Sequence, residues 1–136
     1  SITHAGTHAG AVVTQAETCR EVGLDFEDIG NPDAAAEIAD LILTDRDRHT
    51  ISEIAAFDTA TATILIFSLK ESLYKAIYPM LEVDAGFEDA ELIQAEGGLA
   101  NLRLSRRLGP TLPEGQELVG VYNISDNLVR TMVLLT

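Results

Sequence analysis

The chain has 136 residues, with 22 Asp and Glu against nine Lys and Arg, a formal charge of −13 at neutral pH, and 46% hydrophobic residues. That length suits one domain with a conventional buried core, and the acidity argues against nucleic acid and anionic membrane surfaces as partners. The single Cys19 has no partner for a disulfide within the chain. Asp58, Lys70 and several threonines interrupt the best apolar run before it could span a bilayer, and no signal peptide is legible, so a reducing cytoplasm is the expected home.

In chain order, a strand is expected near residues 10 to 16 and a second over residues 21 to 27. In the second, Val22, Leu24 and Phe26 recur at the period of a half-buried strand, and Asp25 and Glu27 share the opposite face. Asp33 is the expected N-cap of a helix reaching Leu43. Asp45-Arg46-Asp47-Arg48-His49 reads as a charged connector, and Ile51, Ser52, Glu53, Ile54 and Phe57 as a short helix before a long one ending at Pro79. Beyond it the pattern turns to hairpins, Ala90 to Ala95 with Leu102 to Leu108 across Gly97-Gly98, and Leu118 to Ile124 with Leu128 to Leu135 across Ser125-Asp126-Asn127. Pro110 and Pro113 mark the loop between the hairpins. The sum predicts an α+β fold, a single lobe over residues 1–136 with an antiparallel sheet packed against a long helix. There is no internal repeat and no low-complexity tract.

The long helix carries the most informative pattern. At about 100° per residue, Ser68, Glu71, Ser72 and Lys75 form one narrow stripe, while Leu65, Ile66, Leu69, Leu73, Ala76 and Ile77 fill most of the remaining circumference. A helix wrapped this way is mostly buried, so the stripe reads as a cleft wall; the plain alternative is a Glu71–Lys75 intrahelical ion pair worth about 0.2–0.5 kcal/mol. Asp25 and Glu27 stand about 6 to 7 Å apart along a strand, within reach of one hard cation, and Mg²⁺ suits a few carboxylates completed by water and phosphate oxygens. The ordinary alternative is an edge strand with its charges in water.

Two other metals are excluded. A calcium loop opening at Asp25 fails at its twelfth position, Ala36, where a bidentate Glu is needed. His4 and His8 have the spacing of a zinc pair, but Gly6 and Gly10 argue against the helix that this spacing requires. Arg103, Arg106 and Arg107 form the one basic cluster, either a dock for an acidic partner helix or a solvated strand face that offsets the acidic excess.

Read in order, Ser1-Ile2-Thr3-His4, Gly23-Leu24-Asp25-Phe26-Glu27 and Phe67-Ser68-Leu69-Lys70-Glu71-Ser72-Leu73-Tyr74-Lys75 resemble the three signature motifs of the 4'-phosphopantetheinyl transferases. The likeness is closer to the surfactin- and enterobactin-synthetase type than to the short holo-acyl-carrier-protein synthases, and Ala76-Ile77-Tyr78-Pro79 extends it. The resemblance implies transfer of the 4'-phosphopantetheine arm of coenzyme A to a serine of an acyl or peptidyl carrier protein, in siderophore or nonribosomal peptide biosynthesis. It further implies Mg²⁺ held by Asp25, Glu27 and Glu71, nucleotide contacts from Thr3 and His4, and diphosphate contacts from Lys75. Glu71 is the candidate base, alone or through a water it orients. Lys70 matches a family lysine near the phosphates, although the helix projection puts it among apolar neighbours, where a long stem could simply cover core surface.

Two-lobed members of that family are close to twice this length, with the coenzyme in the cleft between similar lobes. The resemblance therefore implies that the N-terminal lobe lies outside this chain, or that the lobe pairs with another copy of itself. The acidity sits awkwardly with acidic carrier proteins unless a basic patch or that further lobe meets them. The rival reading is a non-catalytic lobe or interaction module that keeps the motifs without a complete active site.

Overall fold

The computed structural model describes residues 1–136. Strands β1 (Ile2–Ala5), β2 (His8–Ala11) and β3 (Glu21–Asp28) precede helices α1 (Pro32–Ile42), α2 (Asp45–Glu53) and α3 (Thr59–Ile77), and strands β4 (Ala90–Glu96), β5 (Leu99–Leu104), β6 (Glu117–Ser125) and β7 (Leu128–Leu135) follow. The last five strands in space run β3-β7-β6-β5-β4, every neighbouring pair antiparallel, and β1-β2 is a separate hairpin. This is the expected α+β architecture, with α3 laid on the sheet.

Burial explains the arrangement. Leu65, Ile66, Leu69, Leu73 and Ile77 of α3 are wholly buried and share one core with Leu92, Leu102, Val129 and Val133 of the sheet. Each such side chain contributes about 1.5–3 kcal/mol on leaving water. The closest approach is at Gly23, where an added Cβ would stand 1.7 Å from the carbonyl oxygen of Ser72. Only glycine lets α3 lie that near β3, which brings the motif strand and the motif helix into one seam.

Both sheet edges are closed by side chains rather than by strands. On β3 the amides of Leu24 and Phe26 donate to the hydroxyls of Ser1 and Thr3 at 3.0 and 3.1 Å. On β4 the Leu92 amide donates to Asp47 and the Leu92 carbonyl accepts from Thr50, both at 2.7 Å. An edge capped in this way offers fewer free groups for unwanted pairing.

Four local expectations are corrected. Instead of a strand at 10 to 16 there is a tight hairpin turning at Gly6, which adopts φ 56°; because Ala5 pairs with His8 and His4 with Ala9, the two histidines fall on opposite faces. The first helix is capped by Asn31, whose carboxamide oxygen accepts from the Ala34 amide at 2.8 Å, with Pro32 at the first turn and Asp33 inside it. The charged connector is itself helix α2, started by a reciprocal box in which Thr44 and Asp47 each bond the other's amide and side chain, and the helix ends at Glu53 where a start had been expected. Strand β5 occupies Leu99–Leu104, and Leu108 lies in the following loop, hydrogen-bonded to Leu112. Both hairpin turns fall where the sequence puts them, with positive φ at Gly97 and Gly98 and at Asp126 and Asn127, the backbone that two-residue turns require.

Candidate active site

Strand β3 alternates as expected, but the face turned to α3 is the acidic one. Leu24 and Phe26 point toward Gly10 of the hairpin, while Asp25, 4% exposed, points under the helix. One Asp25 oxygen accepts from the Lys75 ammonium at 2.8 Å and the other from the Ser68 hydroxyl at 2.9 Å. Lys75 also donates to the Leu24 carbonyl at 2.9 Å. Thr131 lies directly across from Asp25 on β7, and its hydroxyl is 2.8 Å from that of Ser68 and 2.7 Å from that of Ser72. The stripe on α3 is therefore a buried polar seam that fixes the rotamers of Asp25 and Lys75. A fully satisfied network of this kind costs little and specifies geometry.

Lys75 thus pairs across to β3 rather than along the helix to Glu71. Burial, then the nearby Asp25 carboxylate, raise the Glu71 pKa, with Lys75 acting against them. Glu27 is raised from 4.5 to about 7 by burial first, then by the charge of Asp25 and a hydrogen bond to it, with Glu71 adding to the effect. No three His, Cys, Asp or Glu side chains stand at ready-made coordination spacing. The electrostatics nevertheless fit a cation: three carboxylates face one another across the seam with one ammonium among them, and burial first, then the neighbouring carboxylate charge, makes two of them hold protons more tightly than usual.

A pH dependence follows from these raised values. A carboxyl whose folded pKa lies above its unfolded value contributes stability that is complete below the unfolded value and is lost as pH rises through the folded one. For Glu27 the window runs from 4.5 to about 7. Without divalent cations, the urea midpoint should fall across this window; Mg²⁺ should restore part of the loss at the upper end, and Glu27→Gln should flatten both responses. An unchanged midpoint with Mg²⁺ at the alkaline end would remove the case for a cation site.

The remaining candidates separate. Thr3 is 6% exposed and its hydroxyl accepts from the Phe26 amide, so it anchors the hairpin to β3; His4 points to the exposed side of β1. Lys70 does not line the cleft. It is completely buried and donates to Asp47 at 2.6 Å, to the Phe87 carbonyl at 2.7 Å and to the Ile42 carbonyl at 2.8 Å. All three ammonium protons are engaged, and burial lowers its pKa against the opposing pull of Asp47. The basic cluster is also occupied: Arg106 clamps Asp89 at 2.7 and 2.9 Å, and Arg103 and Arg107 lie 3.9 and 3.7 Å from Glu91 and Glu82.

Two open grooves meet at Glu71, Tyr74 and Tyr78. The larger, about 1090 Å³, runs under residues 79–87, and the smaller, about 600 Å³, is completed by Ser1, Ile2, Glu21, Val22 and Lys75. The loop walling the larger groove is tethered at three points, by the Tyr74 hydroxyl donating to the Gly86 carbonyl, by Lys70 on Phe87 and by Arg106 on Asp89 and the Asp84 carbonyl. Tyr74 and Thr131 carry no separable signal in sequence; Ser68 and Ser72 did, as hydroxyls on the acidic stripe.

The fold and the site define an α+β lobe whose long helix and edge strand hold carboxylates and a lysine in one seam. Residues 21–126 match the sequence pattern of the 4'-phosphopantetheinyl transferase superfamily. The chain is 37% identical over 94 residues to enterobactin synthase component D of Escherichia coli (strain K12), covering 68% of this chain and 42% of that protein. It is 31% identical over 133 residues to enterobactin synthase component D of Salmonella typhimurium, covering 98% and 54%, and 32% identical over 107 residues to 4'-phosphopantetheinyl transferase Svp of Streptomyces mobaraensis, covering 76% and 42%. The chain belongs to the 4'-phosphopantetheinyl transferase superfamily. It spans about half the length of the curated relatives it matches. No helix is long and apolar enough to cross a membrane.

Proposed function

We propose that this chain forms one lobe of a cytoplasmic, Mg²⁺-dependent phosphopantetheinyl transferase of siderophore or nonribosomal peptide biosynthesis, and that a further lobe or a second copy completes its cleft. The observation that carries this reading is the seam itself, in which Asp25, Glu27, Glu71 and Lys75 converge beside two open grooves. Asp25, Glu27 and Glu71 would hold Mg²⁺, which when bound would neutralise charge developing on the diphosphate of coenzyme A. Lys75, already oriented by Asp25, presents its ammonium to the same phosphates. The carrier serine oxygen forms a bond to the phosphorus next to the pantetheine, the bond to adenosine 3',5'-bisphosphate breaks, and the serine proton passes to Glu71. The raised proton affinity of Glu71 suits that task.

Six of the nine Lys and Arg residues are already in ion pairs within the fold. A coenzyme with several negative charges needs more cations than this lobe has free, which supports completion of the site from elsewhere. Isothermal titration of coenzyme A with Mg²⁺ into this chain should show weak binding, and a product extended by the additional length of its relatives should bind much more tightly and label an apo carrier protein. Equal affinity in the two would show that the lobe builds its site alone. Absence of labelling by the longer product would favour the non-catalytic module.

A further inference from the structure

On the face that β7 turns to α3, Val129, Thr131 and Val133 follow one another, all buried. A third valine would suit a buried strand at least as well, and a hydroxyl placed there must find partners or cost stability. Thr131 finds several. Its Oγ1 lies 2.7 Å from the Ser72 hydroxyl, 2.8 Å from the Ser68 hydroxyl and 2.9 Å from the Ser68 carbonyl. Ser68 in turn donates to Asp25 Oδ2 at 2.9 Å, while Lys75 holds Asp25 Oδ1 at 2.8 Å. Both serines and Thr131 are closed off from solvent, so no water competes for their protons.

Only one arrangement of the three hydroxyl protons serves all of these contacts. The Asp25 carboxylate, paired with an ammonium, can only accept, so the Ser68 proton points to it. The Ser68 oxygen then faces Thr131 with lone pairs alone and takes the Thr131 proton, which the Ser68 carbonyl shares. The Thr131 oxygen likewise takes the proton of Ser72, shared with the Thr131 carbonyl at 3.0 Å. The order is Ser72 to Thr131 to Ser68 to Asp25, and each bond polarises the next. We infer that Thr131 is a positioning residue of the proposed cation site: as the link between two serines one helical turn apart, it keeps the Ser68 hydroxyl on Asp25 and so fixes the plane in which that carboxylate offers its remaining lone pairs. The inference rests on the Mg²⁺ reading of the seam for the identity of the bound group, and on the hydrogen bonds alone for the chain of hydroxyls. Without Thr131 the Ser68 proton gains a second choice, the carbonyl one turn earlier in α3, and Asp25 loses a fixed orientation.

Binding of Mn²⁺ to this chain, counted from the electron paramagnetic resonance signal of the free ion and displaced by Mg²⁺, tests this without catalysis. Thr131→Val keeps the shape, removes only the hydroxyl and should weaken binding about tenfold, the lower end for groups that orient a metal ligand. Thr131→Ser restores the hydroxyl without the methyl and should bind nearly as the parent does. Ser72→Ala removes the far end of the chain and should weaken binding measurably, but less than Thr131→Val. Circular dichroism and urea unfolding without metal show which variants fold. Parental affinity in Thr131→Val, or a Thr131→Ser protein as weak as Thr131→Val, overturns the inference, the second outcome because it assigns the effect to packing. Should Thr131→Val fail to fold, unchanged binding in Ser72→Ala overturns the chain instead. Asp25→Asn sets the background that an acidic surface gives. A parent that binds no better than Asp25→Asn sinks the cation reading together with this inference, whereas parental binding that Thr131→Val leaves untouched sinks this inference alone.

Discussion

Replacing Lys70 with Met should lower folding stability by about 3–5 kcal/mol, the range for removing one partner of a buried ion pair. The stem volume is nearly retained, so the loss comes from Asp47, wholly buried with the Lys70 ammonium 2.6 Å from its carboxylate. Without that cation Asp47 is left charged in the interior, and the Ile42 and Phe87 carbonyls lose a donor. Asp47→Leu in the Lys70→Met background should recover only part of the loss, because Asp47 also accepts from the Thr44 and Leu92 amides that start α2 and close the β4 edge. Urea unfolding of the single and double variants measures both effects. A Lys70→Met protein as stable as its parent, with weakened coenzyme binding, would return Lys70 to the phosphates.

The contrast between Lys70 and Lys75 shows what one sequence makes legible. Helix projection puts them on different sides, and the structure agrees, since local periodicity fixes a side chain's direction. The partner of Lys70 lies 23 residues upstream in a run read as a connector, where the density of charge outweighed the capping signal of Thr44 and Asp47. Projection therefore suggested a stem covering apolar surface, while the structure buries the charge as well. Strand β3 is a second case. Period two separates Asp25 from Leu24 and Phe26, but it cannot say which face the rest of the chain covers, and Gly23 was legible only as part of a motif until the Ser72 carbonyl stood against it. The two later hairpins were readable because their turns carry residues that tolerate positive φ; the first was not, because its short strands offer little apolar alternation.

Glu71 and Asp25 should separate function from stability. Glu71→Gln removes a carboxylate that burial and Asp25 hold at raised pKa, so the charged form is the less welcome one in the fold. The contribution of Glu71 to stability is full below its ordinary value and fades as pH rises through the folded one. The Gln variant escapes that loss, and its stability relative to the parent should improve steadily with pH. Asp25→Asn should do the opposite, costing about 1–3 kcal/mol, because the Lys75 ammonium loses its ionic partner and one amide group cannot replace both bonded carboxylate oxygens. Transfer in the longer product should fall by at least about 10²-fold in both, since each removes a group that would hold the cation or take the proton. Urea midpoints at a series of pH values, set beside labelling of an apo carrier protein, distinguish the two roles. Near-normal labelling by Glu71→Gln, or a loss of stability matching that of Asp25→Asn, would mean that Glu71 serves the fold; a stable and inactive variant is what a group held under electrostatic strain for chemistry should give.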